Sequence, residues 1–60
     1  MYLVKVSLMQ IGQYGYDSDS MRHFVRCGFS RSNGSYKMYD VINECYVLMD
    51  GEVLLSVIRG

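Results

Sequence analysis

An α+β fold of chain order β-β-α-β is predicted by three features of the sequence. Two early stretches alternate apolar and polar residues with period two, a later stretch repeats its apolar residues at helical spacing, and a final run alternates again. In the first expected strand, Tyr2 to Gln10, the residues Tyr2, Val4, Val6 and Leu8 point one way, with Leu3, Lys5, Ser7 and Met9 opposite. The run IGQYGYDSDS is rich in Gly, Ser and Asp and reads as a long loop. The second strand, Met21 to Ser30, places His23, Val25, Cys27 and Phe29 on one face and Arg22, Phe24, Arg26 and Gly28 on the other. Gly28 inside the run marks a bulge or a close backbone approach.

The run RSNGS then breaks the pattern, with Ser35 placed to cap a helix. From Tyr36 to Met49 the period changes. Met38, Ile42, Cys45 and Met49 form a stripe flanked by Val41, Leu48, Tyr39 and Tyr46, the pattern of an amphipathic helix. Its intrinsic propensity is poor, because it lacks alanine and Asp40 and Glu44 form a like-charged i,i+4 pair. Packing must therefore hold it. Asp50-Gly51 ends it, and Glu52 to Arg59 reads as the third strand. Setting that strand beside the first makes every neighbour antiparallel. The result is a three-stranded sheet of order 2-1-3, with one helix on one face and the other face open.

Composition narrows the function classes. Sixty residues, 50% apolar, fit one small domain spanning 1–60, and domains of this size usually lean on a partner, a metal or a disulfide. A disordered chain would carry fewer apolar residues and more net charge. No run is long and apolar enough for a membrane span. Lys5 and the polar stretch Gln10 to Ser20 interrupt any block resembling a secretory leader, so a soluble intracellular protein is expected. Six acidic and six basic residues cancel, which weakens general nucleic-acid binding. Cys27 and Cys45 lack zinc-site spacing and read as reduced, largely buried thiols; a disulfide within or between chains is the alternative.

Chemistry is sparse. His23 is the single histidine and sits on the face expected to turn inward. The DSDS run at Asp17 to Ser20 lacks the glycine and distal glutamate of a calcium loop. No phosphate loop and no nucleophile–base set is present, so neither an enzyme nor a cofactor or metal site is expected. The open sheet face is more informative, with Leu3, Met9, Phe24, Leu54 and Ile58 set among Lys5, Arg22 and Arg26. Scattered surface apolar groups, a contact surface for a second copy or another protein, and a single-stranded RNA platform built on Phe24 all fit it. The outward helix face, with Tyr36, Lys37, Asp40, Asn43 and Glu44, is either solvated or an acidic ridge suited to a basic cleft.

Met1-x-Leu3-Val4-Lys5-Val6 with Met9, Tyr36 opening the helix, the Asp50 turn leading to Val53, and the terminal Arg59-Gly60 resemble the Dmd (discriminator of mRNA degradation) antitoxins of T4-like phages. The likeness runs end to end with little gapping, and Gln10 to Ser35 is largely unmatched. It implies a non-enzymatic protein in the host cytoplasm that occludes a bacterial endoribonuclease toxin of RnlA or LsoA type, protecting phage mRNA without binding nucleic acid itself. The chain departs from the family pattern in having no tryptophan, with Arg31 where an aromatic anchor would stand and Asp40 where a helix amide would fit. The toxin-binding residues so implied are Arg31, Tyr36, Asp40 and Asn43. An RNA-binding regulator and a subunit that dimerises through the open sheet face remain the alternatives.

Overall fold

The computed structural model describes residues 2–30 and 34–57, the side chain of Ser30 excepted. It is an all-β structure. Six strands, β1 (Tyr2–Lys5), β2 (Tyr14–Asp17), β3 (Arg22–Ser30), β4 (Ser35–Asp40), β5 (Cys45–Met49) and β6 (Leu54–Val57), form one antiparallel sheet of order β1-β6-β2-β3-β4-β5. The expected α+β fold, with a three-stranded sheet of order 2-1-3 and a packed helix, is therefore corrected. Among the described residues the only helical element is a single 3-10 turn, Val6–Leu8, so none is long and apolar enough to cross a membrane.

The segment expected to be the helix is the β4–β5 hairpin, with Tyr36↔Met49, Met38↔Val47 and Asp40↔Cys45 paired on one side and Lys37↔Leu48 and Tyr39↔Tyr46 on the other. Its composition accounts for this. Tyr36, Tyr39, Val41, Ile42, Tyr46 and Val47 are aromatic or β-branched residues that suit a pleated surface better than a helix. The helical stripe Met38, Ile42, Cys45 and Met49 was also compatible with a hairpin. Met38, Cys45 and Met49 sit on the same side of the paired strands, because the four-residue connection 41–44 changes the parity of the alternation. Only Ile42 differs, lying exposed in the turn.

The expected loop Ile11–Ser20 contains β2, which forms a hairpin with β3 from Tyr14↔Val25 to Asp17↔Arg22. Pairing of the first and last expected strands does occur, from Tyr2↔Val57 to Lys5↔Leu54, although both strands are shorter than expected. Beyond Lys5 the chain stays tied to the β5–β6 connection through Val6 N–H to Val53 O (2.9 Å) and Ser7 N–H to Gly51 O (3.1 Å). Of the two readings of Gly28, a bulge or a close backbone approach, the bulge is the one present. Register shifts between Arg26↔Met38 and Phe29↔Tyr36, so Cys27 and Gly28 together oppose Lys37.

Two irregularities reassign the faces. The 3-10 turn advances the chain by three between Val6 and Met9, so both are buried and Leu8, expected inside, is 71% exposed. On β3 the inward residues before the bulge are Phe24 and Arg26, the reverse of the expected parity, and Phe24 is 2% exposed. The core is Val6, Met9, Phe24, Met38, Leu55 and Val57, lined by Val4, Tyr36, Val47, Met49 and Val53. Residues from both ends of the strand order share this cluster, so the sheet curls around it and covers its own apolar side. Gly15 sits opposite Phe24 at a tight point, where a Cβ would lie 3.0 Å from Leu55 Cδ1 and 3.1 Å from Met9 Cε.

Phe24→Ala separates the two arrangements. On an open face it would change stability little, whereas from the core it removes roughly 3–5 kcal/mol, measured as a lowered urea midpoint at unchanged m-value.

Candidate binding surface

The convex side of the sheet collects aromatic residues. Register aligns Tyr14, Val25, Tyr39 and Tyr46 across β2, β3, β4 and β5, one residue from each strand. A neighbouring row joins Leu3, Ser56, Tyr16 and His23 across β1, β6, β2 and β3. The rings touch: Tyr16 and His23 centroids lie 4.7 Å apart, Tyr14 and His23 5.5 Å, and Tyr39 and Tyr46 5.0 Å in an edge arrangement. Lys37 places its ammonium 4.4 Å from the Tyr46 ring centroid. Tyr14, Tyr46, Leu48, Leu3 and Leu54 are exposed. Nδ1 of His23, enclosed beside the two tyrosine rings, has no hydrogen-bond partner.

This open face differs from the expected one. Leu3, Leu54 and Lys5 lie on it, while Met9 and Phe24 belong to the core and Ile58 lies outside the described residues. The two arginines are also engaged elsewhere. Arg26 is buried, its Nη1 donating to the bulge carbonyls of Cys27 (2.8 Å) and Gly28 (2.7 Å), with its guanidinium 4.6 Å from the Tyr36 ring centroid. Arg22 pairs with Asp40. An RNA platform of Phe24, Arg22 and Arg26 is thus not assembled, because β3 presents the opposite parity.

Of the four residues expected to contact a toxin, the three that are described do not share one surface. Arg31 lies outside the described residues. Tyr36 is half-buried on the concave side, its ring 4.8 Å from that of Phe29 and packed against Gly51, where a Cβ would come within 2.8 Å of Tyr36 Cε1. Asn43 is exposed in the β4–β5 turn. Asp40 is fully buried at the end of β4 and organises that turn. Its Oδ1 accepts the N–H groups of Ile42 (3.2 Å) and Asn43 (3.1 Å), and its Oδ2 accepts Asn43 Nδ2 (2.9 Å) and Arg22 Nε (2.7 Å), with Arg22 Nη2 also in contact. Glu44 completes the turn in the left-handed region at φ 54.

The Asp17 carboxylate is also used locally. Asp17 accepts the Asp19 N–H (3.1 Å) and the Ser20 hydroxyl (2.8 Å), closing its own β2–β3 connection. Both thiols are free; Cys27 is half-buried, and Cys45, expected to be largely buried, is exposed at the start of β5. Among the described residues no group of three or more His, Cys, Asp or Glu is placed to hold a metal. The tyrosine rows escaped sequence reasoning because Tyr14 and Tyr16 fell in an expected loop and Tyr39 and Tyr46 in an expected helix. The alternation of Tyr14 with Tyr16 around Gly15 was the available signal.

The Asp40 carboxyl is lowered from its ordinary 3.8 to about 2. Burial pushes it upward, and that effect is overcome by hydrogen bonds from the Asn43 side chain and backbone, then by the hydrogen bond and charge of Arg22. Because the folded value lies below the ordinary one, its stabilising contribution is complete above pH 3.8. It is lost as pH falls from there through about 2. Acid titration of thermal midpoints is expected to show this loss in the wild type and a flattened profile in Asp40→Asn. That variant is also expected to melt lower than wild type at neutral pH, and by more than Asn43→Ala. No protein-family model, curated protein or solved structure matches the chain.

Proposed function

We propose that this protein acts by binding, without catalysis of its own, and that its partner is a bacterial endoribonuclease toxin of RnlA or LsoA type. On this reading it is a phage antitoxin that denies RNA access to the toxin and so protects phage mRNA in the host cytoplasm. The resemblance of Met1, Leu3–Val6, Met9, Tyr36, Asp50, Val53 and Arg59-Gly60 to the Dmd antitoxins supplies the partner. The structural observation that supports a binding role is the exposed tyrosine face. Tyrosine brings large apolar area with few rotatable bonds and a polar tip, which suits protein contact surfaces. With the contact moved to the convex face, Tyr14, Tyr39 and Tyr46 replace a helix ridge as its proposed anchors.

One observation favours a second reading. Exposed rings beside Lys37 are also what a single-stranded RNA platform offers. Against it stand the balanced formal charge and the engagement of Arg22 and Arg26 within the fold.

Co-expression with RnlA- and LsoA-type toxins, scored by growth and by co-purification, distinguishes these roles. Rescue of growth with a stoichiometric complex is expected, and Tyr14→Ala is expected to weaken that complex about tenfold or more while leaving the fold intact. Soluble protein that rescues neither toxin defeats the antitoxin reading. Salt-dependent RNA affinity in the absence of toxin would favour the platform instead.

A further inference from the structure

The two edges of the sheet are managed differently. β1 is four residues long, ends at Lys5 in an ion pair with Glu52 (3.2 Å), and turns away at once into the 3-10 turn. Short length, a lysine and a bend are the usual means of preventing strand addition. β5, only one residue longer, has neither the lysine nor the bend. Its sequence, Cys45-Tyr46-Val47-Leu48-Met49, carries no charge, proline or glycine, and its register with β4 is unbroken over all five residues. It bonds to β4 on one side only; among the described residues no other backbone hydrogen bond reaches it. Tyr46 is 60% and Leu48 57% exposed.

We propose that β5 pairs antiparallel with β5 of a second copy of this chain, about a two-fold axis at Val47, joining two six-stranded sheets into one. The strand is self-complementary in that register. Tyr46 falls opposite Leu48 of the other copy on the convex side, Cys45 falls opposite Met49, and Val47 meets its own counterpart. Every cross-strand pair within Cys45–Met49 is apolar; like charges approach only at the two ends, where Glu44 of each copy falls opposite Asp50 of the other, so the association is expected to tighten as salt rises. The free N–H and C=O groups of the edge gain partners, and the balanced formal charge of each chain adds no long-range repulsion. A second copy is the occupant favoured because all five positions of this edge meet an apolar position of the same strand in that register. The inference is independent of the toxin reading, and self-association is measured with no toxin present.

Sedimentation or light scattering of the purified chain is expected to give twice the chain mass, dissociating on dilution. Amide hydrogen exchange is expected to slow in β5, and not in β1, as concentration rises. Tyr46→Lys combined with Leu48→Lys places lysines opposite one another in this register, and so is expected to be monomeric. Tyr46→Glu with Leu48→Glu is expected to be monomeric for the same reason, and mixing the two variants is expected to restore a dimer. A wild-type chain that stays monomeric up to millimolar concentration overturns the proposal. So does exchange in β5 that is independent of concentration, or a dimer that survives the double lysine variant.

Discussion

A single sheet has two faces and, here, no helix among the described residues to cover either. The apolar side must be buried against itself, and the remaining architecture follows from that constraint. Closing the curl brings Val4, Val6, Leu55 and Val57 from one end of the strand order against Phe24, Met38, Val47 and Met49 from the other. The irregular positions serve this closure. The 3-10 turn redirects the chain so that both Val6 and Met9 reach the core, and Gly15 removes a side chain where β2 passes over Leu55 and Met9. At Cys27–Gly28 the bulge restores inward parity so that Phe29 can meet Tyr36. Gly51 leaves room for that same tyrosine where the chain crosses from β5 back to β6.

Within this frame Asp40 is the principal buried polar anchor. A carboxylate without exposure is costly unless its oxygens are satisfied, and here backbone, amide and guanidinium donors all converge on it. That arrangement also explains the failure of the helix. Asp40 gains more from the free amides of a turn than from a position in the middle of a helix. Arg22, which opens β3, supplies the charge that makes the burial tolerable, so the turn between β4 and β5 is coupled to the hairpin before it.

Much of the strand content was legible. Tyr2–Lys5, Arg22–Ser30 and Leu54–Val57 fall inside runs whose alternation was plain, and Gly28 marked its bulge. The candidate surface was less so. Tyr14, Tyr16, Tyr39 and Tyr46 form rows only through register across separate strands, and none of those pairings is local in sequence except within hairpins that were read as a loop and a helix. Leu3 and Leu54 were correctly placed outside, whereas Phe24 was not, because one bulge and one parity choice determine which side of β3 meets the core.

The amino-acid order determined that this chain is rich in strands and carries more apolar surface than a small core can absorb. It also made residues 36–49 a poor helix. Local sequence could not decide between a 3.6-residue and a two-residue period there, because Met38, Cys45 and Met49 satisfy both. Tertiary structure decided it. In a helix the segment's backbone hydrogen bonds are internal, whereas in a hairpin they align Tyr36–Asp40 with β3 and bury Met38 beneath Leu55 and Phe24. The second arrangement closes the sheet over its core, and that gain arises only when residues distant in the chain come together.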